Sequence, residues 1–585
     1  MPVVLDAIAH LALPREHIAA VLATASPPAA SPLSLRGAAA TIGRFAIVFT
    51  LFAIATALIF WPVTIHLHSV LIGPPEDNMQ DFWNSWYAAV GWDQAHFFAT
   101  GLLRFPEGTP LIYQSFAYPQ VFVVVGLSRI FGTDLHTLVA LQNITLLASF
   151  PLAGVDAFYL VRHLVGSTAG ALIGGLVFAF NPSHVAHALH HAGVSSIEFL
   201  PFFVLAWLLA LERRSIMWLA VAAIFFMLSA LSCWYYLFFC AYFIGFQLLY
   251  QRVRDKAWPR GWYLAAPALC ILFVTVTLMP LLLPMLSGAR ASIYEGGGNA
   301  LVADLLGYVA FPPQHLLGVL TRPLYDRFTG YPWEATVYLG LVNLGLLGWA
   351  CLRHGLARRS LMFYVVFGMA TFVILASGEA LHIDGAVTFL HLPDVVLDRL
   401  PFFANVRAPS RAIVFVYLFL SIGVGIAIAS AWRQPGIGRR SAAIVAMALI
   451  VLDFYPAHLA TTPATCPKGV ALVTADPERG FGVLNLPFGY VNGDTYMFEQ
   501  ACHGRPIMGG TTSREMTTTL INRLPFDNLT WQREQLAQAH VKYILLHHPR
   551  NGLYQWSGKL PRVAQFLKTY RAVYSGPDMT VLRVY

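Results

Sequence analysis

RAPSRAIVFVYLFLSIGVGIAIASAWRQPGIGRR, residues 407–440, decides the fold class. Between Arg411 and Arg433 there is no charged side chain, and Ile, Val, Leu, Phe and Ala dominate. About twenty helical residues at about 1.5 Å each cover the roughly 30 Å of a bilayer's hydrocarbon, so the stretch predicts a membrane-spanning helix. Working outward, apolar runs of spanning or nearly spanning length recur at about 45–65, 137–161, 168–182, 198–211, 216–233, 235–250, 262–287, 335–352, 361–377, 410–431 and 441–457. Together they predict about eleven crossings. Composition agrees: of 585 residues 57% are hydrophobic and 11% charged. Mean hydropathy is +0.61. A soluble protein of this size cannot usefully bury so much apolar surface, and lipid must be part of the solvent.

The formal charge of +8 is carried mainly by arginine in short clusters between the apolar runs. Arg44, Arg162 with His163, Arg213 and Arg214, QRVRDKAWPR at 251–260, LRHGLARRS at 352–360, and Arg433 with Arg439 and Arg440 fall in every second connection. The positive-inside rule puts those connections in the cytoplasm and the alternate ones outside. No basic stripe with interleaved aromatics supports binding of nucleic acid.

The expected organisation follows. Residues 1–40, rich in Ala, Pro and Ser, are a mostly disordered cytoplasmic tail. Residues 41–457 form the transmembrane domain, with outer loops 66–136, 288–334 and 378–409, and residues 458–585 a small extracytoplasmic α/β domain. In that domain, β-like runs at Gly482–Leu486, Val541–Leu546 and Thr580–Val584 alternate with helix-like stretches at Arg514–Leu524, Trp531–His540 and Pro561–Tyr570. WNSWYAAVGWDQAHFF at 83–98 predicts a helix lying in the membrane interface, and Tyr118–Phe131 a second. SGARASIYEGGGNA at 287–300 predicts a mobile loop. Cys466 and Cys502 lie in the polar C-terminal region, where they form a disulfide or remain two free thiols; spacing alone does not decide.

Residues able to carry chemistry gather on the outer side. In GPPEDNMQDFWNSW (73–86), Asp77 is placed to take a proton from a substrate hydroxyl at the membrane surface, with Asp81 as cap of a helix starting near Phe82; simple solvation is the alternative for both. Arg407 and Arg411, four apart at the start of a span, suit a lipid phosphate, the alternative being snorkelling to headgroups. His184, His187 and His191 share a helix face in NPSHVAHALHHAGVSSIE (181–198); they line a cavity mouth or, with Glu198 near, hold a divalent metal. Glu334 opens the eighth span, either as a functional intramembrane acid or as one favoured by the helix dipole. No Ser/His/Asp or Cys/His arrangement, P-loop or HExxH motif is visible, so hydrolytic and ATP-driven chemistry have no support.

Several stretches are similar to the GT-C superfamily of polytopic glycosyltransferases, and in particular to bacterial YfhO-like membrane proteins grouped with it. They are EDNMQDFWNSWY (76–87) with FPEGTPL (105–111), LVFAFNPSHVAHALHHAGVSSIEFLPFFVLAW (176–207), WEATVYLGLVNLGLLG (333–348) and PFFANVRAPSRAIVF (401–415). VLNLPFGY, HGRPIMGG and VKYILLHH, beginning at 483, 503 and 541, extend the likeness to the C-terminal region. The resemblance implies inverting transfer of a sugar from a polyprenyl-phosphate donor to a hydroxyl of a glycan or lipid acceptor, at the outer face of a bacterial inner membrane. The N-terminus would be cytoplasmic. The first-loop acid of such enzymes matches Asp77, with Asp81 second, and the phosphate-binding arginine matches Arg407 or Arg411 by position. The acidic loop here is EDxxxD in place of a plain DxD or DE pair, which leaves the base and any metal requirement open. Competing readings are a transporter or flippase of lipid-linked glycans and a non-catalytic membrane assembly protein. The transferase reading requires Asp77 to face Arg407 or Arg411.

Overall fold

The computed structural model describes residues 35–92, 98–288, 300–397, 399, 406–433, 437–487, 490–513, 519–548 and 563–585. The tail before residue 35 and most of the glycine-rich loop at 287–300 lie outside them. Every apolar run named above is helical over most of its length. Among the described residues, six helices are long and apolar enough to cross a membrane: Ile42–Ile59, Leu135–Val165, Thr168–His190, Ala192–Arg213, Trp262–Met285 and Pro409–Trp432.

The stretch that decides the fold class is also the centre of the bundle. Every residue from Ile413 to Ala429 is buried, although the sequence has no polar face to distinguish protein from lipid. Its neighbours include Thr168–Ala179, Leu361–Ala376, Leu341–His354 and Leu135–Val165. Small residues permit the contact: a Cβ on Gly170 would lie 2.4 Å from the Gly425 carbonyl oxygen, and one on Gly174 2.8 Å from that of Ser421. In lipid, where tails are as apolar as the helices, such close backbone packing is what holds helices together. The helices around Ile42–Ile59 and Trp262–Met285 instead turn Ile47, Leu58, Leu272 and Val276 outward. Between Leu135–Val165 and Thr168–Ala179 the chain reverses in two residues. Gly166 takes the left-handed conformation (φ 68) and the Ser167 hydroxyl accepts from the Gly170 N–H at 3.2 Å.

At one end of the bundle the first loop and the C-terminal region meet. Val70–Ile72 pairs antiparallel with Thr461–Pro463. Gly73 (φ 98) then runs flush against Pro182–His190, where a Cβ would sit 1.9 Å from the Leu189 carbonyl oxygen. Only glycine fits there, and the contact sets Glu76 and Asp77 beside the histidine helix. The next helix, Asp77–Trp86, is not an interfacial one as its aromatics suggest. Phe82 and Trp83 are fully buried, Phe82 packs on Phe498 with ring centroids 5.3 Å apart, and the Trp83 indole donates to Gln500 Oε1 at 2.7 Å. An amphipathic ring needs an apolar bed and a hydrogen-bond acceptor; the C-terminal region supplies both, so lipid is not needed. Tyr118–Phe131 does expose Phe122, Ile130 and Phe131.

The C-terminal region carries a four-stranded sheet. Gly482–Leu486 pairs parallel with Val541–His547, which pairs antiparallel with Met579–Arg583, which pairs antiparallel with Arg571–Ser575. Tyr490–His503, a helix not evident from its mixed composition, joins it to the first loop. Cys466 and Cys502 are disulfide-bonded, 36 residues apart. A closed loop of that size removes about 4 kcal/mol of unfolded-chain entropy. Cys466→Ser is therefore expected to lower the stability of this region by up to about that amount, visible as faster limited proteolysis between 467 and 501; unchanged cleavage rates would contradict this.

Candidate active site

Three chain segments converge where the first loop meets the helices: the start of Asp77–Trp86, the end of Pro182–His190 with His191, and the non-helical stretch around Glu334. A fourth element, the 3-10 turn Pro409–Ala412, delivers Arg411 from beneath.

The side chains form a continuous chain of alternating charge. Asp77 Oδ2 meets His191 Nδ1 at 2.9 Å, and His191 Nε2 lies 3.8 Å from Glu334 Oε1. Arg411 Nε is 3.0 Å from both Glu334 oxygens, and its Nη2 also donates to Oε1. His187 Nε2 is 3.3 Å from Glu334 Oε2, while its Nδ1 faces the Ser183 carbonyl at 2.8 Å. The Arg411 guanidinium lies over Tyr235, 4.5 Å from the ring centre, the geometry of a cation–π contact. Exposure falls along the chain, from 27% and 24% for the Asp77 and His191 side chains to 1% for Glu334. It is therefore open at Asp77 and closed at Glu334, with a narrow pocket lined by Ser183, His187, Tyr236 and Arg411 at the closed end.

Burial alone would raise the carboxyl groups, yet neighbours decide otherwise for two of them. Burial pushes Glu334 up, but the Arg411 charge outweighs it and holds the acid well below the usual carboxylate range. For Asp77, burial is likewise overcome, here by the hydrogen bond and charge of His191, and the acid stays low. His191 is pulled down by burial and lifted more by Asp77, so it ends above its ordinary value. Asp81 behaves oppositely: burial raises it to about 7, with partial relief from His191 and from the Ala192 N–H, which it accepts at 2.7 Å.

Several residues lie elsewhere than their sequence context predicts. Asp81 is not a helix cap; the helix begins at Asp77, Glu76 holds the cap position, and Asp81 is a buried residue one turn inside. Glu334 does not open a span: the helix starts at Leu341, so Arg411 and not a helix dipole stabilises the acid. Arg407 and Arg411 do not share a helix face, because helix Ile413–Trp432 begins after both and Arg407 is in exposed, non-helical chain. Arg411, expected to meet a lipid phosphate, is engaged by Glu334. The histidines do not converge on a common point. His184 points away, 3.2 Å from Ser149 Oγ and stacked on Phe150 at 3.9 Å, and Glu198 accepts from Gln120 at 2.7 Å. Among the described residues no group of three or more His, Cys, Asp or Glu is set to hold a metal ion.

One residue has no sequence signal at all. Asp494, in the helix Tyr490–His503, is 3% exposed and its Oδ1 has no hydrogen-bond partner among the described residues. That helix packs on the first-loop helix, Phe498 against Phe82, and the charges of Asp77 and Asp81 reach Asp494. Burial, then the charge of Asp77, raises Asp494 to about 8. Its folded value lies above the ordinary 3.8, so the native state holds a proton that the unfolded chain has lost, and stability declines as pH rises from about 4 to about 8. Asp494→Asn is expected to flatten that part of the melting-temperature profile. Superimposable profiles for variant and wild type would refute the assignment.

In fold the chain is similar to an arabinofuranosyltransferase, AftD, from Mycobacteria, with a TM-score of 0.56 and 15% identity over 95% of this chain and 40% of that one. This chain thus spans about two fifths of the enzyme's length. It is also similar to the apo oligosaccharyltransferase of Archaeoglobus fulgidus, with a TM-score of 0.50 and 12% identity over 86% of this chain and 69% of that one. No curated protein matches the sequence. The architecture is thus that of a helical, GT-C-like membrane protein. The profile of the domain of unknown function DUF6311 matches residues 49–455, which include the first-loop acids, the histidines, Glu334 and Arg411, and the chain belongs to that family.

Proposed function

We propose that this chain transfers a sugar from a polyprenyl-phosphate-linked donor to an acceptor hydroxyl at the outer face of the membrane, inverting the anomeric carbon. The observation that carries the reading is the unbroken chain Asp77–His191–Glu334–Arg411, open at its acidic end and anchored at its basic end. The acceptor oxygen forms the new bond to the anomeric carbon and gives its proton to Asp77. The bond to the phosphate oxygen breaks, and the lipid phosphate leaves with the electron pair. His191 orients Asp77, Glu334 orients Arg411, and the Arg411 charge, with Arg407 as second candidate, stabilises the departing phosphate. A lipid phosphate is already an activated leaving group, so positioning and charge stabilisation suffice.

The fold likeness to an arabinofuranosyltransferase and an oligosaccharyltransferase supports this reaction class. A bacterial inner membrane, a cytoplasmic N-terminus and an extracytoplasmic C-terminal domain belong to the same proposal. The Cys466–Cys502 pairing supports that side, since disulfides persist in oxidising compartments. Kinship with YfhO-like proteins rests on the motif likeness alone. The test incubates purified protein with radiolabelled polyprenyl-phosphate sugars and membrane extract, expecting label in a product that wild type forms and heat-inactivated protein does not. Label that stays on the donor with every sugar tried would overturn the reading.

A further inference from the structure

The segments that build the charged chain each contribute a neighbouring residue to a second row. Glu76 precedes Asp77, His190 precedes His191, and Trp333 precedes Glu334. Glu76 Oε2 lies 3.1 Å from His190 Nδ1. The His190 ring stacks on Trp333 with centroids 4.0 Å apart and planes 13° from parallel. Trp333 in turn stacks on Tyr331 at 4.7 Å and 2°. Burial decreases outward: the His190 side chain is 13% exposed and that of Glu76 46%, and Tyr331 is 54% exposed. The Trp333 indole N–H is buried with no hydrogen-bond partner among the described residues.

We propose that this row is the acceptor subsite and that the acceptor is a carbohydrate of more than one ring, one pyranose lying on the exposed face of Tyr331 and hydroxyls of another bonded to Glu76 at the opposite end of the row. The name acceptor rests on the transferase reading above; the sugar platform does not. The face of an aromatic ring is electron-rich and attracts the weakly positive C–H groups on one face of a pyranose. At the other end of the row, past Trp333 and His190, the Glu76 carboxylate takes charge-assisted hydrogen bonds from sugar hydroxyls. This pairing of a flat apolar face and an exposed anion suits a polyol with one apolar side. An acyl chain has no use for Glu76. The stack behind Tyr331 fixes its plane, so little side-chain freedom is lost on binding. Glu76 directly precedes Asp77, so the end of the glycan held by Glu76 is the end nearer the proposed base.

The competing role for exposed Tyr and Trp is anchoring at lipid headgroups. The full chain in lipid nanodiscs, probed by saturation-transfer-difference NMR with methyl pyranosides and disaccharides, separates the two. Saturation of ring C–H protons is expected in wild type, retained in Tyr331→Phe and weaker by roughly fivefold or more in Tyr331→Ala, with unchanged melting temperature. In the transfer assay, Tyr331→Ala is expected to raise KM for the acceptor and leave KM for the lipid donor unchanged. Absent saccharide signals, or signals indifferent to Tyr331→Ala, overturn the platform. Saccharide binding without any transfer leaves the platform standing and removes the transferase reading instead.

Discussion

Glu334→Ala is expected to destabilise the protein by about 3–5 kcal/mol, enough to unfold much of it at physiological temperature. The substitution strands Arg411, whose side chain is 10% exposed, without its bidentate partner. It also removes the acceptor facing His187 and His191. A buried guanidinium left alone keeps the whole desolvation penalty with nothing to offset it. The double variant Glu334→Leu with Arg411→Met replaces both charges by apolar volume and is expected to recover most of the lost stability, as replacement of buried pairs commonly does. It should not recover transfer, because the chain that orients His191 is gone. Fluorescence-detected size exclusion with a temperature ramp measures the first effect and the radiolabel assay the second. Equal melting temperatures for wild type and Glu334→Ala would show that the pair is not the keystone described here.

Asp77→Asn is expected to reduce transfer by about 10²–10⁴-fold, the usual contribution of a general base, while leaving the fold intact. Asparagine keeps the shape and can still hydrogen-bond His191, so expression and melting temperature should change little. The pH behaviour follows from the two shifts. Asp77 is held low, so its contribution to the pair is present above the ordinary carboxylate value and lost as pH falls through the depressed one. His191 is raised, so its contribution is complete below 6.5 and lost as pH rises through the elevated value. Transfer should therefore fall on both sides of a plateau spanning those two values, and in Asp77→Asn the alkaline limb of the residual rate should move to lower pH, because the charge that lifts His191 is gone. Undiminished transfer in Asp77→Asn would remove Asp77 as the base.

How far the sequence reaches can be judged from particular residues. Arg411 and Glu334 each stand out in sequence as charges at the edge of an apolar run, but they are 77 positions apart and nothing in either stretch names the other. Asp77 and His191 are visible as members of an acidic loop and a histidine run, and the residues between them give no register. Asp494 is invisible because a single acid in a mixed helix is ordinarily a solvated one. The aromatic helix after Asp77 was legible as amphipathic, and its destination was not, since lipid headgroups and a protein groove offer an indole the same apolar bed and acceptor.

Residue order alone settles the solvent and the local elements. Apolar length fixes which segments leave water, charge placement alternates between connections, and strand and helix periodicities set the local backbone in most of the C-terminal region. Tertiary structure alone decided which charges neutralise one another and which apolar helix faces protein. Helix Ile413–Trp432 and helix Trp262–Gly288 read alike, yet the first is enclosed and the second turns outward. The physical reason is that lipid and a protein core reward the same side chains. Only close backbone contacts such as Gly170 on Gly425, and the cost of burying any charge without its partner, distinguish one arrangement of the helices from another.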